Sequence, residues 1–180
     1  MLVEDFGLNR FTNYTFESNR MKKLLIVLLI MSIFSCNNID GNVIPSFTFT
    51  TLAGKTITQK DLKGDATILC VWATWCGDCI REIPELNELV AKYEGNNKVN
   101  FIAISDEDEA IVRKSLKRFP FNFTQVVNAK EYSDQLKTGV TKHFPQVLVI
   151  DKDLKVVFDV TENKEKIFDV LDTHIQIILN

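Results

Sequence analysis

The sequence predicts an α/β fold in which a central mixed β-sheet is flanked by helices and preceded by an N-terminal β-hairpin. Near-continuous apolar runs at 66–72 and 99–104 indicate strands covered on both faces. A stretch with helical spacing joins these two runs, which predicts a βαβ unit. A strand, turn and strand at 147–159 then predict an antiparallel hairpin at the edge of the same sheet.

The N-terminal elements are justified by alternation and turn residues. Polar and apolar residues alternate over 47–52, a turn is predicted at 53–55, and 56–58 continues the hairpin. The main helix is predicted from Cys76 to about Lys92. Pro84 inside this helix predicts a bend, because a proline in the interior of a straight helix lowers helix stability by about 3 kcal/mol.

The second half of the chain alternates short strands and helices. Ser105–Asp108 has the form of a capping box, and apolar residues follow at helical spacing until Pro120. The acidic cluster from Asp106 to Glu109 is therefore interpreted as helix-start chemistry rather than a metal site. The remaining predicted elements are a strand at 123–127, a helix at 131–136, the edge hairpin at 147–150 and 155–159, and a last helix from about Lys164 to Leu179 with His174 on its packed face.

The front of the chain is typical of an export signal. Met21 and two lysines precede an apolar run at 24–34, which is too short to span a bilayer as a helix. The run ends at Ser35–Cys36 in a pattern that resembles a bacterial lipobox, so we expect a lipoprotein signal peptide at 21–35 and lipidation of Cys36. Cleavage nearby without a lipid and an uncleaved anchor stay as alternatives.

These features divide the chain into four predicted segments. Residues 1–20 are interpreted as a non-native upstream extension with the true start at Met21. The signal peptide at 21–35 is followed by a polar tether at 36–42 and one domain at 43–180.

Residues 1–35 hold four of the 21 basic and three of the 24 acidic residues, which leaves residues 36–180 with a net charge of −4. This balance gives no support to a nucleic-acid-binding role, so no nucleic-acid partner is expected.

The most informative motif is Trp75-Cys76-Gly77-Asp78-Cys79, which lies between the central strand and the main helix. Two cysteines at this spacing can close a small disulfide ring, which indicates a redox switch. Half of a zinc site has the same spacing, but no second Cys or His pair is present, and His143 and His174 are isolated. We therefore expect no metal site, and thiol exchange through two cysteines needs no bound cofactor.

The motif resembles the TlpA/ResA-like branch of the thioredoxin superfamily over about residues 43–180. Pro84 in the helix, the Gly139–Val140 stretch leading to Phe144–Pro145, and the N-terminal hairpin add to the resemblance. It implies a thioredoxin-like fold in which Cys76 is the nucleophile and Cys79 the resolving thiol, with support from Trp75, Gly77 and Asp78.

The order of the two thiols also follows from chemistry. A thiol near a helix N-terminus is more acidic than a free one, so Cys76 starts the exchange. Cys79 lies about one helical turn further along and can release the mixed disulfide intramolecularly. The resemblance further implies that Pro145 is the cis-proline beside the motif, with Phe144 supplying backbone that docks an extended substrate.

Two further residues are candidates for proton handling. Glu82, three residues past Cys79, matches a carboxylate that ResA-like proteins place near the active site; a surface helix carboxylate is the alternative. Cytosolic thioredoxins carry a buried acid six residues before the nucleophile, where this chain has Cys70. We interpret Cys70 as a small core residue, so a proton relay would use Glu82 or water. His143 is interpreted as a solvated loop residue.

The predicted function is that of an extracytoplasmic thiol:disulfide oxidoreductase. The negative charge of Asp78 between the cysteines disfavours the Cys76 thiolate by repulsion. A less stabilised thiolate makes the cysteine pair less oxidising, which favours a reductase over a disulfide-forming oxidase. Its expected partners are disulfide-containing exported proteins, a membrane electron donor, and the membrane itself through the lipid anchor. The expected location is the periplasmic side of a bacterial cell membrane.

Two other functions with a related cysteine motif are alternatives. A peroxiredoxin-like thiol peroxidase would carry Thr-x-x-Cys, but Thr74 lies two residues before Cys76. A Sco-like copper-handling module would separate its cysteines by three residues and add a downstream His, a pattern that this chain does not reproduce.

Overall fold

The computed structural model describes four stretches of the chain: residues 43–62, 64–136, 143–160 and 166–180. The predicted upstream extension, signal peptide and tether, with Cys36, lie outside the described residues. So do the Gly139–Val140 stretch and the predicted start of the last helix at Lys164.

The described elements follow the predicted order closely. They are β1 (Thr48–Thr50), β2 (Thr56–Thr58), a 3₁₀ turn (Gln59–Asp61), β3 (Ala66–Val71), α1 (Gly77–Lys92), β4 (Val99–Ile104), α2 (Glu109–Arg118), β5 (Thr124–Val126), α3 (Lys130–Gln135), β6 (Gln146–Asp151), β7 (Val156–Asp159) and α4 (Ile167–Leu179). β1 and β2 pair antiparallel, so the predicted N-terminal hairpin is confirmed.

The central sheet is mixed, as predicted, with the strand order β5-β4-β3-β6-β7. β3, β4 and β5 run parallel, whereas β6 is antiparallel to β3 and β7 is antiparallel to β6. The carboxyl ends of the parallel strands therefore meet at one edge of the sheet, where β6 begins. Every residue of β3 is buried, which explains its near-continuous apolar sequence.

Helices pack on both faces of the sheet, so the predicted flanking arrangement is confirmed. Alternate β3 residues point to opposite faces. Ile68 and Trp72 belong to a core cluster with residues of α1, α2 and α4. Leu69 and Val71 belong to a second cluster with the N-terminal hairpin and α3. Each fully buried large side chain contributes roughly 1.5–3 kcal/mol, so the two clusters hold the ends of β3 and α1 in place.

The predicted capping box at Ser105 is wrong. α2 begins at Glu109, and its N-cap residue, Asp108, makes no side-chain capping hydrogen bond. The Ser105 hydroxyl instead accepts a hydrogen bond from the backbone amide of Glu107 at 3.2 Å, inside the loop between β4 and α2. The spacing of a capping box was present, but the chain turns through this loop before the helix starts.

The last helix packs as predicted through His174. Its ring stacks on Phe158 of β7 with 3.7 Å between ring centroids, and its Nδ1 lies 2.8 Å from the carbonyl oxygen of Val170. None of the helices in the described stretches is both long and apolar enough to cross a membrane.

Candidate functional site

The cysteine pair lies at the sheet edge where the parallel strands end. The chain leaves β3, turns through 72–75, and enters α1 with Cys76 as the N-cap residue. The Sγ atoms of Cys76 and Cys79 form a disulfide with an S–S distance of 2.08 Å. The backbone amide of Cys79 also donates a hydrogen bond to Cys76 Sγ at 3.0 Å.

The sulfur of Cys76 therefore occupies the position of a helix-capping oxygen. Unpaired amides and the helix dipole both favour negative charge at this point, which stabilises a thiolate in the reduced form. Cys76 keeps 6% of its surface exposed and Cys79 keeps 2%. The first cysteine is thus the more accessible of the two, and the second is covered by the core.

The residues between the cysteines face solvent. Gly77 and Asp78 are both exposed, and Asp78 forms an i,i+3 ion pair with Arg81. Because Arg81 carries the opposite charge, it reduces the repulsion that Asp78 alone would exert on a Cys76 thiolate. The effect of Asp78 on the pair is therefore weaker than its sequence position indicates.

An aromatic surface adjoins the disulfide. The Trp75 side chain is 69% exposed and meets the Phe144 ring edge to face, with 5.3 Å between centroids. The two residues meet because β6 pairs antiparallel with β3, opposing Gln146 to Val71. The Phe144–Pro145 peptide bond is cis, as predicted.

Glu82 is half-buried in α1, one turn beyond Cys79. Burial raises its pKa to about 7, with further upward contributions from Asp78 and Glu85 and an opposing one from Arg81. Its Oε2 is buried without a hydrogen-bond partner among the described residues. A carboxyl group in this state exchanges its proton near neutral pH, which a plain surface carboxylate does not.

Cys70 is a buried free thiol, consistent with the predicted core role. Burial raises the pKa of this thiol strongly, and the negative charge of Glu82 raises it further. The Glu82 carboxyl therefore acts electrostatically on the strand position where cytosolic thioredoxins carry their acid. A buried thiol that stays protonated is a poor nucleophile.

One residue in the site was missed by the sequence analysis. The sequence pattern predicts Glu107 at the start of a helix, but its carboxylate accepts hydrogen bonds from Thr74, two residues before Cys76. The one sequence feature that indicates a place in the site is the position of Glu107 just after the strand that neighbours β3.

His143 is exposed. No group of three or more His, Cys, Asp or Glu side chains in the described part of the chain could hold a metal ion.

Sequence comparison places this site among known redox proteins. The model of the AhpC/TSA family matches residues 41–159. The thiol-disulfide oxidoreductase ResA of Bacillus thuringiensis subsp. konkukian is 34% identical over 127 residues, which cover 70% of this chain and 72% of that protein. A ResA of Bacillus cereus is 37% identical over 118 residues, or 65% of this chain and 66% of that protein.

Solved structures agree with the fold. A thiol:disulfide interchange protein of the thioredoxin family from Chlorobium tepidum TLS superposes with a TM-score of 0.63 at 24% identity, covering 77% of this chain and 97% of that one. The predicted thioredoxin-like fold is confirmed. Together with the cysteine pair at disulfide distance, these similarities show that the chain belongs to the AhpC/TSA family and is a thiol-disulfide oxidoreductase of the ResA type.

Proposed function

We propose that this oxidoreductase works outside the cytoplasm, where it reduces disulfides of exported proteins through Cys76 and Cys79. The signal-like segment at 21–35 supports export, and the lipobox-like end at Cys36 supports a lipid anchor on the periplasmic side of a bacterial cell membrane. Because the reductase becomes oxidised in each cycle, it requires a membrane electron donor that returns two electrons and two protons to the pair.

The observation that carries this proposal is the hydrogen bond from the Cys79 amide to Cys76 Sγ at the start of α1. In the reduced chain the same amide would stabilise a Cys76 thiolate. This thiolate attacks one sulfur of the substrate disulfide, forms a mixed disulfide, and releases the other substrate sulfur as a thiolate that takes up a proton.

The second step belongs to Cys79. Its thiol must lose a proton before its sulfur attacks Cys76 Sγ, closes the internal disulfide and releases the second substrate thiol. Glu82 lies at i+3 from Cys79 and therefore on the same side of α1. With a pKa raised to about 7 by burial, its carboxyl group is suited to accept this proton and pass it on.

Trp75 and Phe144 are the proposed docking surface for the protein substrate. A tryptophan that is 69% exposed beside a nearly covered disulfide offers apolar area to a partner chain. Phe144 lies two residues before the first residue of β6, so its backbone leads into an antiparallel strand, where an extended segment of a substrate can approach.

The primary test is catalysed reduction of insulin by dithiothreitol with the purified full-length chain. We expect activity in the wild type and in Cys70→Ala, and none in Cys76→Ser. A reduction potential of the pair of about −270 mV supports a reductase, whereas a value of about −120 mV would overturn that direction. Peroxide consumption faster than insulin reduction would favour a thiol peroxidase instead.

The location is tested separately. In cells supplied with a labelled fatty acid, the wild-type chain should carry the label and sediment with membranes, whereas Cys36→Ser should lose the label and leave the membrane fraction. An unlabelled wild-type chain would refute the lipid anchor without affecting the redox activity.

A further inference from the structure

Glu107 connects the loop after β4 to the turn that carries the nucleophile. Its Oε2 accepts a hydrogen bond from the backbone amide of Thr74 at 2.6 Å, and its Oε1 accepts one from the Thr74 hydroxyl at 2.7 Å. Both oxygens of the carboxylate thus bind one residue, 33 positions away in sequence. Hydrogen bonds to an ionised acceptor are roughly twice as strong as neutral ones, so these two hydrogen bonds connect Thr74 strongly to Glu107.

The Glu107 side of this link is rigid. The backbone carbonyl of Glu107 accepts a hydrogen bond from the amide of Asn128 at 3.0 Å, and the buried Ser105 is bound through its own backbone to Val126 and Ala129. The Ser105 hydroxyl also contacts Glu107 Oε2 at 3.3 Å. The loop that presents the carboxylate is therefore held by the ends of both β4 and β5.

The Thr74 side has fewer attachments. The Trp72 amide donates to the carbonyl of Ile104, and the next backbone hydrogen bond within the described residues runs from the Cys76 amide to the carbonyl of Ala73 at 3.1 Å. Trp75 between them is largely exposed. Among the described residues, the carboxylate of Glu107 accepts the long-range hydrogen bonds that the segment from Ala73 to Trp75 makes.

We propose that Glu107 is a positioning residue for the redox reaction, which clamps Thr74 and thereby holds Cys76 Sγ close to Cys79 Sγ. Closing a disulfide requires the two sulfurs to meet, and its equilibrium depends on their effective concentration. Cys79 is fixed within the first turn of α1, whereas Cys76 lies at the junction with the turn that Thr74 controls. Release of Thr74 lets Cys76 move relative to Cys79, which lowers the effective concentration.

Loss of the clamp shifts the redox equilibrium of the cysteine pair in one direction. Without the clamp, the dithiol form gains freedom and the disulfide form becomes less favoured. The pair is then reduced more easily, and its reduction potential becomes less negative. We expect Glu107→Ala to weaken the internal disulfide about three- to tenfold in equilibrium with glutathione, where tenfold corresponds to about 30 mV.

A graded series of variants isolates the two hydrogen bonds. Thr74→Val removes the hydroxyl but keeps the amide, so we expect a shift between those of the wild type and Glu107→Ala. Thr74→Ser and Glu107→Gln can retain both contacts, because a glutamine amide donates to a hydroxyl that rotates to accept it. Thr74→Ser should therefore stay within about twofold of the wild type, whereas Glu107→Gln loses the ionised acceptor and should shift part of the way toward Glu107→Ala. The matched control is Asp108→Ala, which removes an exposed carboxylate that forms no capping hydrogen bond.

The experiment is a glutathione redox titration of the purified full-length chain, quenched by alkylation and quantified by mass spectrometry. Thermal unfolding of the oxidised and reduced forms provides an independent readout, because a weaker disulfide requires Glu107→Ala to destabilise the oxidised form more than the reduced form. Equal destabilisation of both forms, or an equilibrium constant that matches the wild type, would overturn the proposal and leave Glu107 a structural residue only.

The variants keep the proposal testable if Glu107→Ala does not fold, and they separate its failure from that of the proposed function. If Glu107→Ala does not fold, Thr74→Val carries the test alone, and an unchanged equilibrium in that variant overturns the proposal. The inference rests on the thiol exchange of Cys76 and Cys79 and not on the direction of electron flow. A wild-type pair that never interconverts would refute the proposed function, whereas a wild-type pair that titrates normally beside unshifted variants refutes this inference only.

Discussion

The backbone amide of Cys79 donates its hydrogen bond to the Sγ atom of Cys76 at 3.0 Å, so a sulfur caps the first turn of α1. Helix caps are usually oxygens of Ser, Thr, Asp or Asn, which accept the same bond. A sulfur in this position links redox state to helix capping, because reduction converts a disulfide sulfur into a thiolate that accepts the bond more strongly.

This capping geometry predicts an acidic Cys76 thiol. In reduced Cys79→Ser, we expect the pKa of Cys76 to lie below the ordinary cysteine value of about 8.5. The pH dependence of its alkylation by iodoacetamide measures this, with mass spectrometry to separate Cys76 from the buried Cys70. Cys79 in the reciprocal Cys76→Ser variant should react more slowly. A Cys76 that ionises only at or above about pH 8.5 would show that the helix start does not activate it.

Glu82 predicts a pH dependence of the second chemical step. If its carboxyl accepts the Cys79 proton, Glu82→Gln should slow the release of the mixed disulfide about ten- to hundredfold at about pH 7. The wild-type rate should rise through a pKa of about 7, and the variant should lack that step. Glu88→Gln, an exposed change on the same helix, is the control. A profile that keeps its step in Glu82→Gln would assign the proton transfer to another group or to water.

The same carboxyl makes a prediction for stability. Its pKa is about 7 in the folded chain against an ordinary value of 4.5. Between these values the folded form holds a proton that the unfolded form has lost, so this contribution favours folding below pH 4.5 and is lost as the pH rises to about 7. Glu82→Gln should therefore be about 1–2 kcal/mol more stable than the wild type at about pH 8, a value discounted for its half-exposed position. Urea unfolding at about pH 4 and about pH 8 checks this, and a pH-independent difference would contradict it.

The redox pair and the strand order could be predicted because they depend on local patterns. An apolar run such as 66–72 indicates a buried strand, and residues with helical spacing follow it. The Cys76–Cys79 motif between the two is therefore at the strand-to-helix junction. Proline at 145 before a strand could be placed by its resemblance to a known pattern. Each of these features needs only a few neighbouring residues or one recognised motif.

The contacts made within and between loops could not be predicted. Ser105 and Asp108 have the spacing of a capping box, but the tertiary fold directs the Ser105 hydroxyl toward Glu107 and starts the helix later. The bond between Glu107 and Thr74 depends on how two loops meet at the sheet edge, and sequence spacing carries no information on that. The raised pKa of Glu82 likewise depends chiefly on how far the fold buries its carboxyl group, which sequence spacing does not report.

α4 is capped by a side chain from another helix, which predicts a stability effect. Glu85 Oε2 in α1 accepts a hydrogen bond from the backbone amide of Phe168 at 3.2 Å, whereas the N-cap residue Lys166 makes no side-chain capping bond. Glu85→Ala should therefore lower the free energy of unfolding by about 1 kcal/mol. Guanidinium unfolding measures this, with Glu88→Ala as the exposed control on α1. Equal midpoints for the two variants would show that this contact does not stabilise α4.

The exposure of Trp75 predicts that its removal lowers activity toward protein substrates more than activity toward small-molecule disulfides. Its side chain is 69% exposed and contacts Phe144 edge to face, so it offers apolar area to a bulky partner but does not take part in the exchange. Trp75→Ala should reduce kcat/KM for a disulfide-bonded protein about tenfold, mainly through KM, because uniform binding is lost. Reaction with oxidised dithiothreitol should change less than about twofold. Ile177→Ala, which truncates a side chain 67% exposed on α4, is the matched control and should leave both reactions unchanged. Equal losses for the protein and for the small disulfide would mean that Trp75 supports the cysteine pair itself rather than the substrate.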